Sequence, residues 1–170
     1  MPKLPAAVGF LLVITYPFPI EHAKGQQAYE ENPQCSEQVF SVNQEMHRQY
    51  GLDIRQPGVA IESSNTNPFP GSYVRVFTMI TNYSDNRPWV RKATSNAENF
   101  MNSSGIQLRL AKRLMKACPS TSKVTFGFER SGYWAPYFRW PSGEIRPGIP
   151  LNCHRDSTNG TLQWGYYISC

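Results

Sequence analysis

Residues 102–129 read NSSGIQLRLAKRLMKACPSTSKVTFGFE, and a change of rhythm inside that stretch decides the fold class. Its first part holds Leu110, Ala111, Leu114, Ala117 and Cys118 on one side, at the three- and four-residue spacing of an amphipathic helix. Asn102 or Ser103 stands where an N-cap belongs and Pro119 ends the run, so the predicted helix is 103–117. The second part alternates Val124, Phe126 and Phe128 with Thr125, Gly127 and Glu129, the period of a half-buried strand.

On the C-terminal side, Ser131-Gly132 turns the chain into a strand over 133–140, and Pro141-Ser142-Gly143 turns it again. Leu162, Trp164, Tyr166 and Ile168 alternate in a last strand. On the N-terminal side, Val39, Val42, Met46 and Tyr50 predict a helix over 36–50 that stops at Gly51. A short strand is expected in 52–61, a loop over 63–71, and a central strand over 73–80 (YVRVFTMI). Residues 82–92 read as loop and 93–101 as a helical turn. The sum is an α+β domain: two helices on one face of a mostly antiparallel sheet of four to five strands, stabilised by disulfides.

The first 25 residues have the layout of a secretory signal peptide. Lys3 precedes an apolar run over 4–16, Pro17 and Pro19 break it, and Ala23-Lys24-Gly25 offers a small-x-small cleavage site. The run is too short to span a bilayer. The expected organisation is a leader over 1–25, a linker over 26–34 and one domain over 35–170. Export, to a periplasm or the extracellular space, would carry Cys35, Cys118, Cys153 and Cys170 into an oxidising compartment. Without CxxC or Cys/His clustering they predict two disulfides rather than a metal site. Three connectivities are open. Placement favours Cys118–Cys153, because the strands after Cys118 fold back over its helix, with Cys35–Cys170 pinning the chain ends.

The stretch MNSSGIQLRLAKRLMKACPSTSKVTFGFERSGYWAPYFRWPSGEIRPGIPLNC, with the Asn67-Pro68-Phe69-Pro70-Gly71 loop before it, resembles a family of small exported cyanobacterial proteins. In that family a capped helix ends in Cys-Pro, and a VTFG strand, a Trp-containing strand, a glycine turn and a second cysteine follow. The resemblance covers about half the chain. It implies export and a Cys118–Cys153 pair, and it implies no activity. The tail over 154–170 is longer than the family pattern.

Two surfaces could carry binding. Arg109, Lys112, Arg113 and Lys116 project from the predicted helix with no acidic residue between Glu98 and Glu129. They suit acidic polysaccharide or an anionic membrane surface, although a solvated helix face that complements the helix dipole is the commoner explanation. Tyr133, Trp134, Tyr137, Phe138 and Trp140 form an aromatic cluster. Pro136 marks an edge or bulge and leaves Tyr133 and Tyr137 facing outward, with Trp134, Phe138 and Trp140 building the core.

Net charge is +5, or +4 once Lys3, Lys24 and Glu21 leave with the leader, and its even spread disfavours nucleic acid as a partner. No cofactor is indicated. Neither His47 nor His154-Arg155-Asp156 comes with a nucleophile elbow. Glu129 and Glu144 meet the residue types of a glycosidase pair, but nothing in the sequence brings them together. The expectation is a non-enzymatic exported domain that binds an anionic surface or polysaccharide. The alternatives are a structural envelope protein without a discrete ligand and, third, a glycan hydrolase.

Overall fold

The protein, as a computed structural model, is described over residues 33–64, 66–69, 71–83, 87–152 and 162–169. The predicted leader, nearly all of the predicted linker and His154-Arg155-Asp156 lie outside these residues. Helix α1 spans Pro33–Tyr50, followed by β1 (Ile54–Ser64), β2 (Gly71–Ile80), α2 (Pro88–Met101), α3 (Ser104–Ala117), β3 (Thr121–Phe128), β4 (Tyr133–Arg139), β5 (Ile145–Pro147), β6 (Ile149–Asn152) and β7 (Tyr166–Ser169). The α+β class is as expected, with three helices among the described residues instead of two.

Strands β1 to β5 form one sheet in sequence order, and β6 pairs with β7 in a separate ribbon. All neighbours in the large sheet are antiparallel except β2 and β3, which run parallel. A parallel pair needs a long crossover, and α2 with α3 supplies it. The third helix was hidden in a stretch rich in loop residues. Pro88 does not break α2 but begins it, in the first turn where a missing N–H costs nothing. Val90, Ala97, Phe100 and Met101 then face the core.

Helix α1 ends where Gly51 predicts. Gly51 adopts φ +62°, its N–H meets the His47 carbonyl, and the Leu52 N–H meets that of Met46. At α3, Ser103 holds the N-cap position without capping, because its hydroxyl donates back to the Asn99 carbonyl at 2.6 Å. The α2–α3 corner is tied instead by buried Gln107, whose Nε2 donates to the Phe100 and Met101 carbonyls at 2.7 and 3.0 Å.

All three helices cover one face of the sheet. Val42 and Met46 from α1, Phe100 from α2 and Leu110, Leu114 and Met115 from α3 pack with Val76, Ile80, Val124, Phe126 and Tyr137. This corrects the reading of β4. Its alternation is as expected, but the sides are exchanged: Tyr137 is 2% exposed beneath the helices, while Trp134 and Phe138 face the other way. Tyr133 alone of the expected outward pair stays exposed, at 45%. Parity along a strand says which residues share a face, not which face the helices take.

The disulfide pairing is also corrected. Cys35, in the first turns of α1, is bonded to Cys118, the C-cap of α3. Neither Cys118–Cys153 nor Cys35–Cys170 forms; Cys153 and Cys170 lie outside the described residues. Because α1 and α3 lie side by side, Cys118 meets a helix rather than the strands after it. A loop closed over 83 residues of separation stabilises the fold by about 4.5 kcal/mol on the chain-entropy view.

Candidate functional site

The face of the sheet opposite the helices carries Glu62 and Gly58 from β1, Tyr73, Arg75 and Phe77 from β2, Lys123 and Gly127 from β3, and Trp134 and Phe138 from β4. Among the described residues no helix packs on it. At the end near the β1–β2 connection lies a cleft of about 300 Å³, walled by Ser64, Thr66, Tyr73, Lys123, Trp164 and Tyr166, among others.

Trp164 builds the cleft. It sits just before β7, buried, with its ring 4.7 Å from Phe69, 4.9 Å from Tyr73 and 5.0 Å from Phe138, the last two edge-on. Its indole N–H donates to the Arg139 carbonyl at 3.2 Å, which anchors the segment before β7 against β4. Edge-on ring pairs of this kind add to ordinary burial. Lys123 enters between the rings: Nζ lies 5.5 Å from the Phe138 centroid and 6.0 Å from that of Tyr73.

Glu62 holds the charges together. Its Oε2 lies 3.3 Å from Lys123 Nζ and accepts the Tyr73 hydroxyl at 2.6 Å, while Oε1 pairs with Arg75. Burial works against the Glu62 carboxylate, but the Tyr73 hydrogen bond and the charges of Lys123 and Arg75 outweigh it and hold its pKa below the ordinary value. Burial, then the bond to that carboxylate, push the Tyr73 phenol well up. Burial also pulls Lys123 down, and Glu62 opposes the shift. Among the described residues, two cations on one carboxylate leave one positive charge uncompensated beside the cleft. The Ser64 and Thr66 hydroxyls, 2.6 Å apart, add donors and acceptors to the lining.

The residues singled out from the sequence fall elsewhere. Arg109 Nη2 donates to Glu45 Oε1 at 2.8 Å and to the Tyr50 hydroxyl at 2.6 Å, and Arg113 pairs with Glu45 Oε2. Two of the four stripe residues are therefore paired with one acid on α1, far away in sequence; Lys112 and Lys116 remain exposed. Tyr133 donates to Asn102 Oδ1 at 3.3 Å. Tyr137 donates to Gln107 Oε1 at 2.8 Å, and burial pushes its phenol up to about 12.

Glu129 and Glu144 are not brought together. Glu129 follows Phe128, opposite the first residue of β4, and Glu144 precedes Ile145, opposite the last. A seven-residue strand separates them, about 20 Å at strand spacing, and they pair with Arg55 and Arg146 respectively. His47 Nδ1 faces the Leu52 carbonyl at 3.0 Å and Asp53 at 3.6 Å. Among the described residues no three His, Cys, Asp or Glu side chains could hold a metal ion, and no helix is long and apolar enough to cross a membrane.

The Lys123 cleft escaped sequence reading because its parts lie far apart: Glu62 and Lys123 are 61 residues apart. The one local signal was a lysine placed on the strand TSKVTFGF, where a wholly solvated face would not require the rings opposite it. Compared with protein-family models, curated proteins and solved structures, the chain matched none.

Proposed function

We propose that this chain is an exported, non-enzymatic binding domain that seats an acidic saccharide in the Lys123 cleft. The observation that carries the reading is the Lys123 ammonium held between aromatic rings with charge to spare after Glu62. A carboxylate or sulfate on a sugar would meet that ammonium, the apolar C–H face of the ring would lie on Tyr73 or Tyr166, and sugar hydroxyls would exchange hydrogen bonds with Ser64 and Thr66. The Cys35–Cys118 bond fits a compartment that is not reducing, which supports export.

The test is titration of the full chain with a uronic-acid disaccharide and its neutral counterpart. The acidic sugar should bind, weaken as salt rises, and lose at least about tenfold in affinity in Lys123→Met. That variant keeps the stem that packs against the rings and leaves Glu62 bonded to Arg75 and Tyr73. Equal affinity in wild type and Lys123→Met would overturn the reading.

A further inference from the structure

From the cleft, the helix-free face continues along the strands as an apolar surface. Two of its rings stand directly opposite glycines on neighbouring strands: Phe77 opposite Gly58, and Trp134 opposite Gly127. A methyl group added at either glycine would run into the ring across from it. Each ring therefore leans over bare backbone instead of standing up from the sheet, the arrangement in which an aromatic side chain covers a strand glycine. Thr125 is buried in the row between them, so the rings and Pro136 close over the middle of the sheet. Trp134 remains 39% exposed, and the Arg75 guanidinium sits 5.1 Å from the Phe77 ring.

We infer that this face is an extended platform for an acidic polysaccharide chain, entered at the Lys123 cleft and followed past Arg75 and Phe77 to Trp134. The inference rests on the cleft reading above and adds that the ligand is a polymer held along its length. Lys123 and Gly127 are four residues apart on β3, about 13 Å, so a single sugar at the cleft cannot reach Trp134. The Trp134 ring, laid against Gly127 and still exposed, offers its outer face to a sugar C–H face, and the stacked Arg75 and Phe77 lie on the way to it. The charge on the platform favours this occupant over nucleic acid. Arg75 and Lys123 against Glu62 leave one positive charge at one end, whereas a single nucleic-acid strand brings a phosphate with every nucleotide and is met by a charged groove along its whole length.

The experiment compares a uronic-acid disaccharide, the matching hexasaccharide and an oligonucleotide of similar length on the full chain. The variants are Phe77→Leu/Trp134→Leu, which keeps both glycines under apolar cover but removes the rings, and Lys123→Met. Circular dichroism and a cooperative melt check that each variant is folded. The hexasaccharide should bind more tightly than the disaccharide, and the double leucine variant should lose that advantage, about tenfold, with disaccharide affinity kept. If hexasaccharide affinity is unchanged in the leucine variant and lost in Lys123→Met, the platform is overturned and the cleft stands. Disaccharide affinity unchanged in Lys123→Met overturns both. An oligonucleotide that binds as tightly as the hexasaccharide overturns the polysaccharide assignment. Should Trp134→Leu fail to fold, Phe77→Leu alone with Trp134→Phe makes the same comparison, a smaller ring being expected to halve the advantage at least.

Discussion

Tyr137 donates its phenolic hydrogen to Gln107 Oε1 at 2.8 Å, beneath the helices. Gln107 uses its amide hydrogens on the last carbonyls of α2, so the bond completes a network that joins β4, α3 and α2, with the Ser104 carbonyl a longer second acceptor for Tyr137 at 3.2 Å. Tyr137→Phe keeps the ring and strands a buried acceptor, which should cost about 1–3 kcal/mol. Urea unfolding of the variant measures it. A loss within error of zero would mean that Gln107 finds another partner.

The bond from Cys35 to Cys118 should appear in peptide mapping of unreduced protein, and its reduction should lower unfolding free energy by about 4.5 kcal/mol. Recovery of Cys118 joined to Cys153 would contradict the fold.

Glu62 makes the domain acid-sensitive in a definite direction. Its folded pKa is depressed, so its contribution is complete above the unfolded value and is lost as pH falls through the folded one. Melting temperature should fall as pH drops below the ordinary carboxylate value of 4.5, and Glu62→Gln should flatten that limb. Glu144 is also lowered, by the hydrogen bond from Arg146, but is exposed, so Glu144→Gln serves as the contrast. An equal effect from both variants would remove Glu62 as the source.

Glu45 restrains the basic side of α3. Glu45→Gln should shift stability by about 1 kcal/mol or less, since Arg109 is half exposed. It frees two guanidinium groups and should raise the salt concentration needed to elute the protein from a sulfated matrix. Elution at the same salt would mean that the ion pairs do not hold Arg109 and Arg113 back from anions.

The sequence carried the local elements better than their assembly. Periodicity placed α3 almost to the residue and found the apolar part of β3, though that strand starts at Thr121, three residues before Val124, and Gly51 marked the end of α1, because those signals arise within one turn or one pleat. Pro88 misled because the same residue breaks a helix inside and starts one at its edge. The cysteine pairing and the facing of Tyr137 were misjudged for a shared reason: both depend on where α1 and α3 come to rest, which no neighbour in sequence reports. The site suffered most. Lys123, Glu62, Phe77 and Trp134 stand on four strands, and each alone is an ordinary strand residue.

The parallel pairing of β2 with β3 divides the large sheet into two halves of unequal reach. The β1–β2 pair and the β3–β4–β5 meander can each close locally, whereas the seam between them waits for a crossover that includes both α2 and α3. Such distant pairing is slow to form and is a natural line of opening. Phe77 belongs to one half and Trp134 to the other. A polymer resting on both rings would act as a suture across the seam, so saturating hexasaccharide should slow amide exchange in β2 and β3 more than at the distal ends of α1.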